Sequence, residues 1–185
     1  MMRAKDFINE YVIPKTHWDC ITSNSVKQEL GHELINLVKH AYSATQYGSF
    51  INNIHDVLAS NWFVLNWEHN TKINAAVFYR NPRGGDNWSG HKIQGLGHDG
   101  KSTSKRYAIK QIQSLLNKPG WWIECRGPMA TVLLNSGLPP ITDEQVLQKL
   151  FDDPNLHVTS ANTYKRKLPN GHEITELVFG NPITK

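Results

Sequence analysis

Apolar residues in the first third of the chain repeat with the period of an α-helix. Their three- and four-residue spacing predicts an amphipathic helix from Val26 to Tyr42. The positions that share its apolar face are Val26, Leu30, Leu34, Leu37, Val38 and Ala41. Ser25, followed three residues later by Gln28, has the spacing of a capping box at the helix start. A shorter helical pattern follows from Phe50 to Leu58.

The next stretch is rich in aromatic and β-branched residues, which favour strands. Asn61–Trp67 and Ile73–Tyr79 predict two strands of an antiparallel meander. Asn81–Gly90 contains several Gly, Pro and Asn residues and predicts an open loop, in which Trp88 is expected to be exposed. A third strand is predicted from His91 to Gly97.

The middle of the chain has the pattern of a strand, a helix and a second strand. A polar loop, Asp99–Ser104, leads into a helix predicted from Lys105 to Leu116, which Asn117–Gly120 ends. Gly120–Cys125 then predicts a short strand. Because parallel strands need a crossover connection, this succession predicts a parallel pair joined by a helix.

The last third predicts two more helices and a hairpin. One helix runs from Pro128 to Ser136, and another opens at Thr142 with acidic residues in its first turn. Strands near Val158–Leu168 and His172–Phe179 flank Asn170-Gly171, a favoured two-residue turn pair. Together the elements predict one α+β domain over the whole chain, with a mixed central sheet and helices on both of its faces.

Composition narrows the class of protein. The chain has 185 residues, of which 39% are hydrophobic and 19% charged, as in an ordinary globular domain. Its formal net charge of +4 allows an anionic partner such as CoA or a nucleic acid without requiring one. No run of 18 apolar residues occurs and the N-terminal stretch carries charges, so we expect no membrane span, no signal peptide and a cytoplasmic location.

Cysteine and histidine spacing gives no indication of a metal. Cys20 and Cys125 lack any ligand spacing and are expected to be reduced thiols. The nine histidines include no HExxH pattern. The sequence therefore predicts no metal site.

The candidate chemistry lies where the central strand leads into its helix. We call Asp99–Ser104 the candidate phosphate loop, because its small residues let backbone amides approach an anion at a helix N-terminus. Lys101, Lys105 and Arg106 add positive charge. A diphosphate site and a solvated turn with a Ser or Thr cap are both consistent with this segment.

The sequence contains partial matches to two nucleotide-binding motifs. Gly100-Lys101-Ser102 resembles the end of a P-loop, but the glycine required before it is one residue out of register. Gly95–Gly100 has the GxGxxG spacing, yet it does not follow the first strand of a doubly wound fold. The sequence therefore predicts neither a P-loop NTPase nor a Rossmann domain.

Four features together point to a known family: the order of elements, the loop after the central strand, the Met129–Leu138 helix and the terminal hairpin ending in Leu177–Gly180. In these features the chain resembles the GNAT (acyl-CoA N-acyltransferase) superfamily from about Val26 to Phe179. The resemblance implies one GNAT-like domain in which two parallel strands splay apart and receive the pantetheine arm of acetyl-CoA, the acyl donor. It implies as cofactor-binding residues Leu96, Gly97, Asp99, Gly100, Lys101, Ser102, Thr103, Ser104 and Lys105.

The implied reaction is acetyl transfer to an amine of an unidentified acceptor, which could be a small molecule, a protein or a DNA base. Such an amine must lose a proton, and the candidate bases are Glu124 and His98. Structural roles remain open for both: Glu124 bonded to a neighbouring strand or to Arg126, and His98 as a loop or capping residue.

Two departures from the family pattern support an alternative. Serines stand where the family loop has glycines, and Leu133 stands where many members have a tyrosine acid. The alternative is a non-catalytic GNAT-like domain that binds protein or nucleic acid. The compact chain also resembles small phage-encoded acetyltransferase-like proteins, some of which modify nucleobases.

Overall fold

A computed structural model describes residues 17–43, 50–66, 72–167 and 170–185. The helices are α1 (Asn24–Tyr42), α2 (Ile54–Leu58), α3 (Ser102–Leu116), α4 (Gly127–Asn135) and α5 (Glu144–Phe151). The strands are β1 (Asp19–Ile21), β2 (Asn61–Leu65), β3 (Ala75–Arg80), β4 (Trp88–Ser89), β5 (His91–His98), β6 (Trp121–Cys125), β7 (Tyr164–Lys167), β8 (Glu173–Gly180) and β9 (Ile183–Thr184).

Seven strands form one mixed sheet in the order β1-β2-β3-β5-β6-β8-β7, and β4 pairs with β9 in a separate ribbon. β5 and β6 are parallel, whereas β1 with β2, β6 with β8 and β7 with β8 are antiparallel. The parallel pair is the one that α3 connects, as the strand–helix–strand pattern predicted. The α+β class, with a large mixed sheet flanked by helices, is therefore confirmed.

The residues form two compact units. Unit 1 comprises Met1–Phe78 and Gly95–Ile109, and unit 2 comprises Tyr79–Gln94 and Lys110–Lys185. β3, β5 and α3 each contribute residues to both units, so the boundary passes through regular elements rather than through linkers. Among the described residues, no helix is both long and apolar enough to cross a bilayer.

The core of unit 1 lies between α1 and the sheet. Leu34, Leu37 and Val38 on the predicted face of α1 are almost completely buried, together with Trp62 and Phe78. The rings of Trp62 and Phe78 have centroids 4.8 Å apart. Burial of this apolar stripe, rather than intrinsic helix propensity, accounts for most of the stability of α1 in the protein.

Two glycines of β5 let α1 approach the strand closely. A Cβ atom on Gly97 would lie 2.9 Å from Cβ of Leu37 and 3.0 Å from its carbonyl carbon. One on Gly95 would lie 2.4 Å from the hydroxyl of Tyr42. These glycines of the GxGxxG-like segment therefore serve helix–strand packing inside unit 1.

Gly97→Ala should lower the free energy of unfolding by roughly 1–3 kcal/mol, because the added methyl overpacks a contact with helix backbone. Chemical denaturation followed by circular dichroism measures this change. Gly84→Ala is the matched control, since a Cβ there meets nothing within 4 Å. Equal stability of the two variants would contradict the packing role of Gly97.

The core of unit 2 surrounds two tryptophans. Trp88 and Trp122 are buried with their ring centroids 5.3 Å apart, and α5 covers them with Leu147 and Leu150. The predicted exposure of Trp88 is therefore wrong. β4 pairs with β9, and the guanidinium of Arg80 stacks 4.9 Å from the Trp88 ring, so the loop is held onto the core.

Two helix starts differ from their predictions. Ser25 lies inside α1, whose N-cap is Ser23 without a side-chain capping bond. A true capping box occurs at α2, where Asn53 and Asp56 bond each other's backbone amides. α3 begins at Ser102 rather than Lys105, so the last three residues of the candidate phosphate loop form its first turn.

Candidate functional site

In unit 1, the candidate phosphate loop is fixed by hydrogen bonds at the end of β5. The amide of Asp99 donates to the carbonyl of Asn74 at 3.1 Å, and the side-chain amide of Asn74 donates to Asp99 Oδ2 at 3.0 Å. Gly100 has a φ of +91°, which favours glycine and allows the chain to turn into α3. The loop is therefore a turn whose backbone conformation is held by hydrogen bonds.

Two amides of this loop already have partners within the chain. The Gly100 amide donates to Nδ1 of His98, and the Lys101 amide donates to Oδ1 of Asp99, each at 3.0 Å. Burial would raise the pKa of Asp99, but hydrogen bonds from Asn74, Ser104 and the Lys101 amide hold it below its usual value. A carboxylate thus lies beside the start of α3, where it complements the helix dipole.

The predicted cofactor-binding residues fall into a buried set and an exposed set. Leu96 and Ser104 are buried, and Gly97 packs against α1. Lys101, Ser102 and Lys105 are exposed, and Thr103 is half-buried. The solvent-facing cations Lys101 and Lys105 are therefore the groups of this loop best placed to meet an anionic ligand.

His98 is neutral and has one ring nitrogen in use. Its Nδ1 accepts the Gly100 amide, so the neutral ring carries its proton on Nε2. Burial, together with the charge of Lys105, lowers the pKa of His98. In this arrangement His98 Nε2 can donate a hydrogen bond and cannot accept a proton.

A cavity of about 610 Å³ opens beside this loop, within unit 1. Its lining residues are His32, Glu33, Asn36, Leu37, Lys39, His40, Ser43, Lys72 and Asp99. Glu33 and Asp99 accept hydrogen bonds from the chain itself, through the amides of Ile73 and Lys101. Lys39 and Lys72 give the lining a cationic side.

Glu124, the second predicted base, lies in unit 2 and is surrounded by cations. Arg166 Nη1 donates to both of its carboxylate oxygens, at 3.0 and 3.3 Å, and Lys92 Nζ lies 3.4 Å from Oε1. The Tyr164 hydroxyl donates a short hydrogen bond to Oε2. Of the two structural roles considered for Glu124, the hydrogen bond to a neighbouring strand is therefore the one present.

A second carboxyl group adjoins the first. Glu176 on β8 is buried, hydrogen-bonds to Glu124, and lies 3.5 Å from the Tyr164 hydroxyl. Arg126 Nη1 is 3.4 Å from its Oε1, so Arg126 pairs with Glu176. We call Lys92, Glu124, Arg126, Tyr164, Arg166 and Glu176 the polar cluster.

The carboxyl groups of Glu124 and Glu176 differ in pKa. Burial raises the pKa of Glu176 to about 8, and the bond to Glu124 and its negative charge add to this. Burial would also raise the pKa of Glu124, but the bond from Glu176 and the charges of Lys92 and Arg166 hold it below its usual value. At neutral pH the pair therefore carries one proton, on Glu176.

Sequence reasoning missed Glu176, Tyr164 and Arg166. One local signal existed: Tyr164 and Arg166 are two residues apart on a strand and so share a face. Glu176 precedes the apolar run Leu177–Phe179, which placed a carboxyl at the edge of a buried strand. The pairing Tyr164↔Glu176, which joins these positions, depends on the hairpin register.

Two further side chains are excluded from acid–base or nucleophilic roles. Burial raises the pKa of Cys125 to about 12, with contributions from Glu176 and Glu124, so its thiol stays protonated. Leu133, in the place of the family tyrosine, is fully buried in α4. Neither side chain can supply a proton or a nucleophile at neutral pH.

The parallel pairing of β5 with β6 is short. In unit 2 the register runs from His91↔Trp121 through Lys92↔Trp122 to Ile93↔Ile123. β5 continues to His98 and β6 to Cys125. Over the described lengths of these strands, the ladder therefore covers their first residues only.

No family model matches the chain, and no curated protein matches it significantly. In the part of the chain that the structure describes, no group of three or more His, Cys, Asp or Glu side chains could hold a metal ion. The function is therefore inferred from the geometry of the chain itself.

Proposed function

We propose that this protein is an acyl-CoA-dependent N-acyltransferase of the GNAT type that transfers an acetyl group from acetyl-CoA to an amine. The observation that carries the proposal is the short β5–β6 ladder, which ends at Ile93↔Ile123 while both strands continue. Two parallel strands that part after a crossover helix are the feature through which this superfamily receives pantetheine.

Charges around the candidate phosphate loop support a diphosphate ligand. Lys101 and Lys105 are exposed at the start of α3, and Lys39 and Lys72 line the adjoining cavity. The negative charge of Asp99 would repel an anion at the start of α3. Binding of a diphosphate would therefore depend on the lysine side chains more than on backbone amides. Lysine side chains can bind phosphate as flexible point charges.

Acetyl-CoA would supply an activated acetyl carbonyl, and the chain would supply position and proton transfer. The acceptor nitrogen must be unprotonated when it attacks. His98 can donate from Nε2 toward a carbonyl or thiolate, in keeping with its neutral state. Glu124 is held ionised by Arg166 and Lys92 and acts best as a fixed negative charge within the polar cluster.

Acetyl-CoA and desulfo-CoA should raise the midpoint of thermal unfolding. At a concentration one hundred times Kd, a ligand stabilises the native state by about 2.7 kcal/mol, or roughly 5–10 °C for a chain of this size. Lys101→Gln with Lys105→Gln should weaken binding by about tenfold through lost charge-assisted contacts. Differential scanning fluorimetry over a ligand titration gives both quantities.

Lys110→Gln is the control for that experiment, because Lys110 is an exposed lysine further along α3. It removes one charge from the helix without touching the candidate phosphate loop. The proposal fails if neither ligand shifts the midpoint of the wild-type protein, or if Lys110→Gln weakens binding as much as the Lys101→Gln, Lys105→Gln double variant does.

A second candidate is a GNAT-like domain without catalytic activity that binds protein or nucleic acid. The occupied amides of Gly100 and Lys101 and the buried Leu133 favour it. If CoA ligands give no thermal shift, binding to duplex DNA over a range of salt concentrations is the next measurement, since phosphate contacts give a steep salt dependence.

A further inference from the structure

We propose that the cavity in unit 1 binds a small zwitterion of the ω-amino acid class, with its ammonium near Glu33 and Asp99 and its carboxylate near Lys39. Every residue that lines the cavity belongs to unit 1, so the site needs nothing from unit 2. Its volume of about 610 Å³ falls in the range of about 300–1,000 Å³ that is usual for small-molecule sites. The inference goes beyond the proposed acyl transfer and does not depend on it.

α1 forms one long wall of the cavity. Its lining positions run from His32 to Ser43 at the spacing of one helix face, a length of about 16 Å. Leu37 on this face offers an apolar surface to a methylene chain. The wall is fixed in place, because Leu37 packs against the backbone of β5 at Gly97 and Glu33 bonds to the amide of Ile73.

The two carboxylates of the lining are held beside two consecutive residues that precede β3. Glu33 Oε1 accepts the amide of Ile73, and Asp99 Oδ2 accepts the side-chain amide of Asn74 at 3.0 Å. Hydrogen bonds hold the pKa of Asp99 below its usual value, so this carboxyl is ionised at neutral pH. Together with the ammonium of Lys72, these groups leave one net negative charge at this side of the cavity, which favours an ammonium ligand.

The opposite charge lies near the end of α1. Lys39 is exposed, and its ammonium forms no ion pair or hydrogen bond with the described part of the chain. It follows Glu33 by nearly two helical turns, or about 9 Å along the helix axis. An α-amino acid carries both of its charges on one carbon and is shorter than this span. An ω-amino acid with several methylene groups reaches across it.

The charge balance of the lining favours a zwitterion over a simple ion. Lys39 and Lys72 are matched by Glu33 and Asp99, so with neutral histidines the lining has no net charge. A simple anion at Lys39 is repelled by the two carboxylates, and a simple cation is repelled by the two lysines. A molecule that carries both charges at the right distance is attracted at each end.

The first experiment uses the wild-type protein and needs no variant. Isothermal titration calorimetry at pH 7 and low salt compares 6-aminohexanoate with glycine, hexylamine and hexanoate. We expect 6-aminohexanoate to bind at least roughly tenfold more tightly than each of the others, because each of them lacks one charge-assisted contact or the spacing that allows both.

Two variants then locate the site. Lys39→Gln and Glu33→Gln should each weaken binding of 6-aminohexanoate by roughly tenfold. Glutamine at position 33 keeps an oxygen that can accept the amide of Ile73, so α1 should stay in place. Glu29→Gln, at an exposed position one turn earlier on α1, and Lys110→Gln, at an exposed position on α3, are the matched controls and should bind as wild type.

Each unfavourable result overturns the inference in a specific way. No binding of 6-aminohexanoate, or equal affinity for hexanoate or hexylamine, would exclude a zwitterion site, and equal affinity for glycine would exclude the ω-amino acid class. If Lys39→Gln binds as wild type, or Glu29→Gln loses as much affinity as Glu33→Gln, the ligand does not lie in this cavity.

The inference and the proposed function fail separately. The diphosphate was assigned to Lys101 and Lys105, neither of which lines the cavity. The Lys101→Gln, Lys105→Gln double variant should therefore bind 6-aminohexanoate as tightly as wild type, and a large loss in this variant would contradict the inference. Failure of acetyl-CoA to bind the wild-type protein would overturn the proposed function alone.

Discussion

Glu124→Gln should lower the free energy of unfolding by roughly 3–5 kcal/mol, the usual cost of removing one partner from a buried charged cluster. Glutamine keeps the shape of the side chain but not its charge. Arg166 and Lys92 would lose the carboxylate that they contact, and Tyr164 would lose a charge-assisted acceptor. Urea denaturation monitored by tryptophan fluorescence measures the loss.

The same hairpin contains a matched exposed ion pair. Lys165 Nζ lies 3.1 Å from Glu173 Oε1, and the two side chains are 64% and 58% exposed. Glu173→Gln should change the free energy of unfolding by less than about 1 kcal/mol, because water screens this pair. If Glu124→Gln cost no more than Glu173→Gln, burial of the polar cluster would not govern its energetics.

The free energy of unfolding of the wild-type protein should fall as the pH rises from about 5 to 8. Glu176 keeps its proton up to about pH 8 in the folded protein, against 4.5 for the group without its surroundings. Between these values the folded state binds more protons than the unfolded state, so rising pH favours unfolding. The contribution is complete below pH 4.5 and is lost as the pH passes 8, with an upper limit of about 5 kcal/mol.

Glu176→Gln isolates this contribution, because the lowered pKa values of His91 and His98 affect both proteins alike. The difference in free energy of unfolding between wild type and variant should change steadily across pH 5–8. Glu124, whose pKa is lowered, acts in the opposite direction and only in the acid range, where stability is lost as the pH falls. If the difference in free energy of unfolding between wild type and variant did not change with pH, Glu176 would have the same pKa in the folded and unfolded states.

Elements with strong local periodicity were predictable from the sequence. α1 was placed to within two residues by its apolar face, and the parallel β5–β6 pair followed from the strand–helix–strand pattern. The start of α3 was placed three residues too late, since Ser104 lies in the first turn of the helix and bonds to the Asp99 side chain. That bond depends on a side-chain conformation that composition does not reveal.

The polar cluster could not be predicted for a different reason. Glu124 and Arg166 are 42 residues apart, and which strand lies next to β6 decides whether they meet. Trp88 was misjudged in the same way, since its burial depends on the distant partner strand β9. Spacing within one segment carries no information about such long-range neighbours.

The contact of α1 with Gly97 has a mechanical consequence. At Gly97 no side chain separates α1 from the backbone of β5. A shift of the helix there cannot be accommodated by a change of side-chain rotamer on the strand. α1 also supplies Leu37, Lys39 and His40 to the cavity in unit 1. A molecule that pushes α1 toward the sheet would shift the β5 backbone next to His98 directly, rather than by turning side chains.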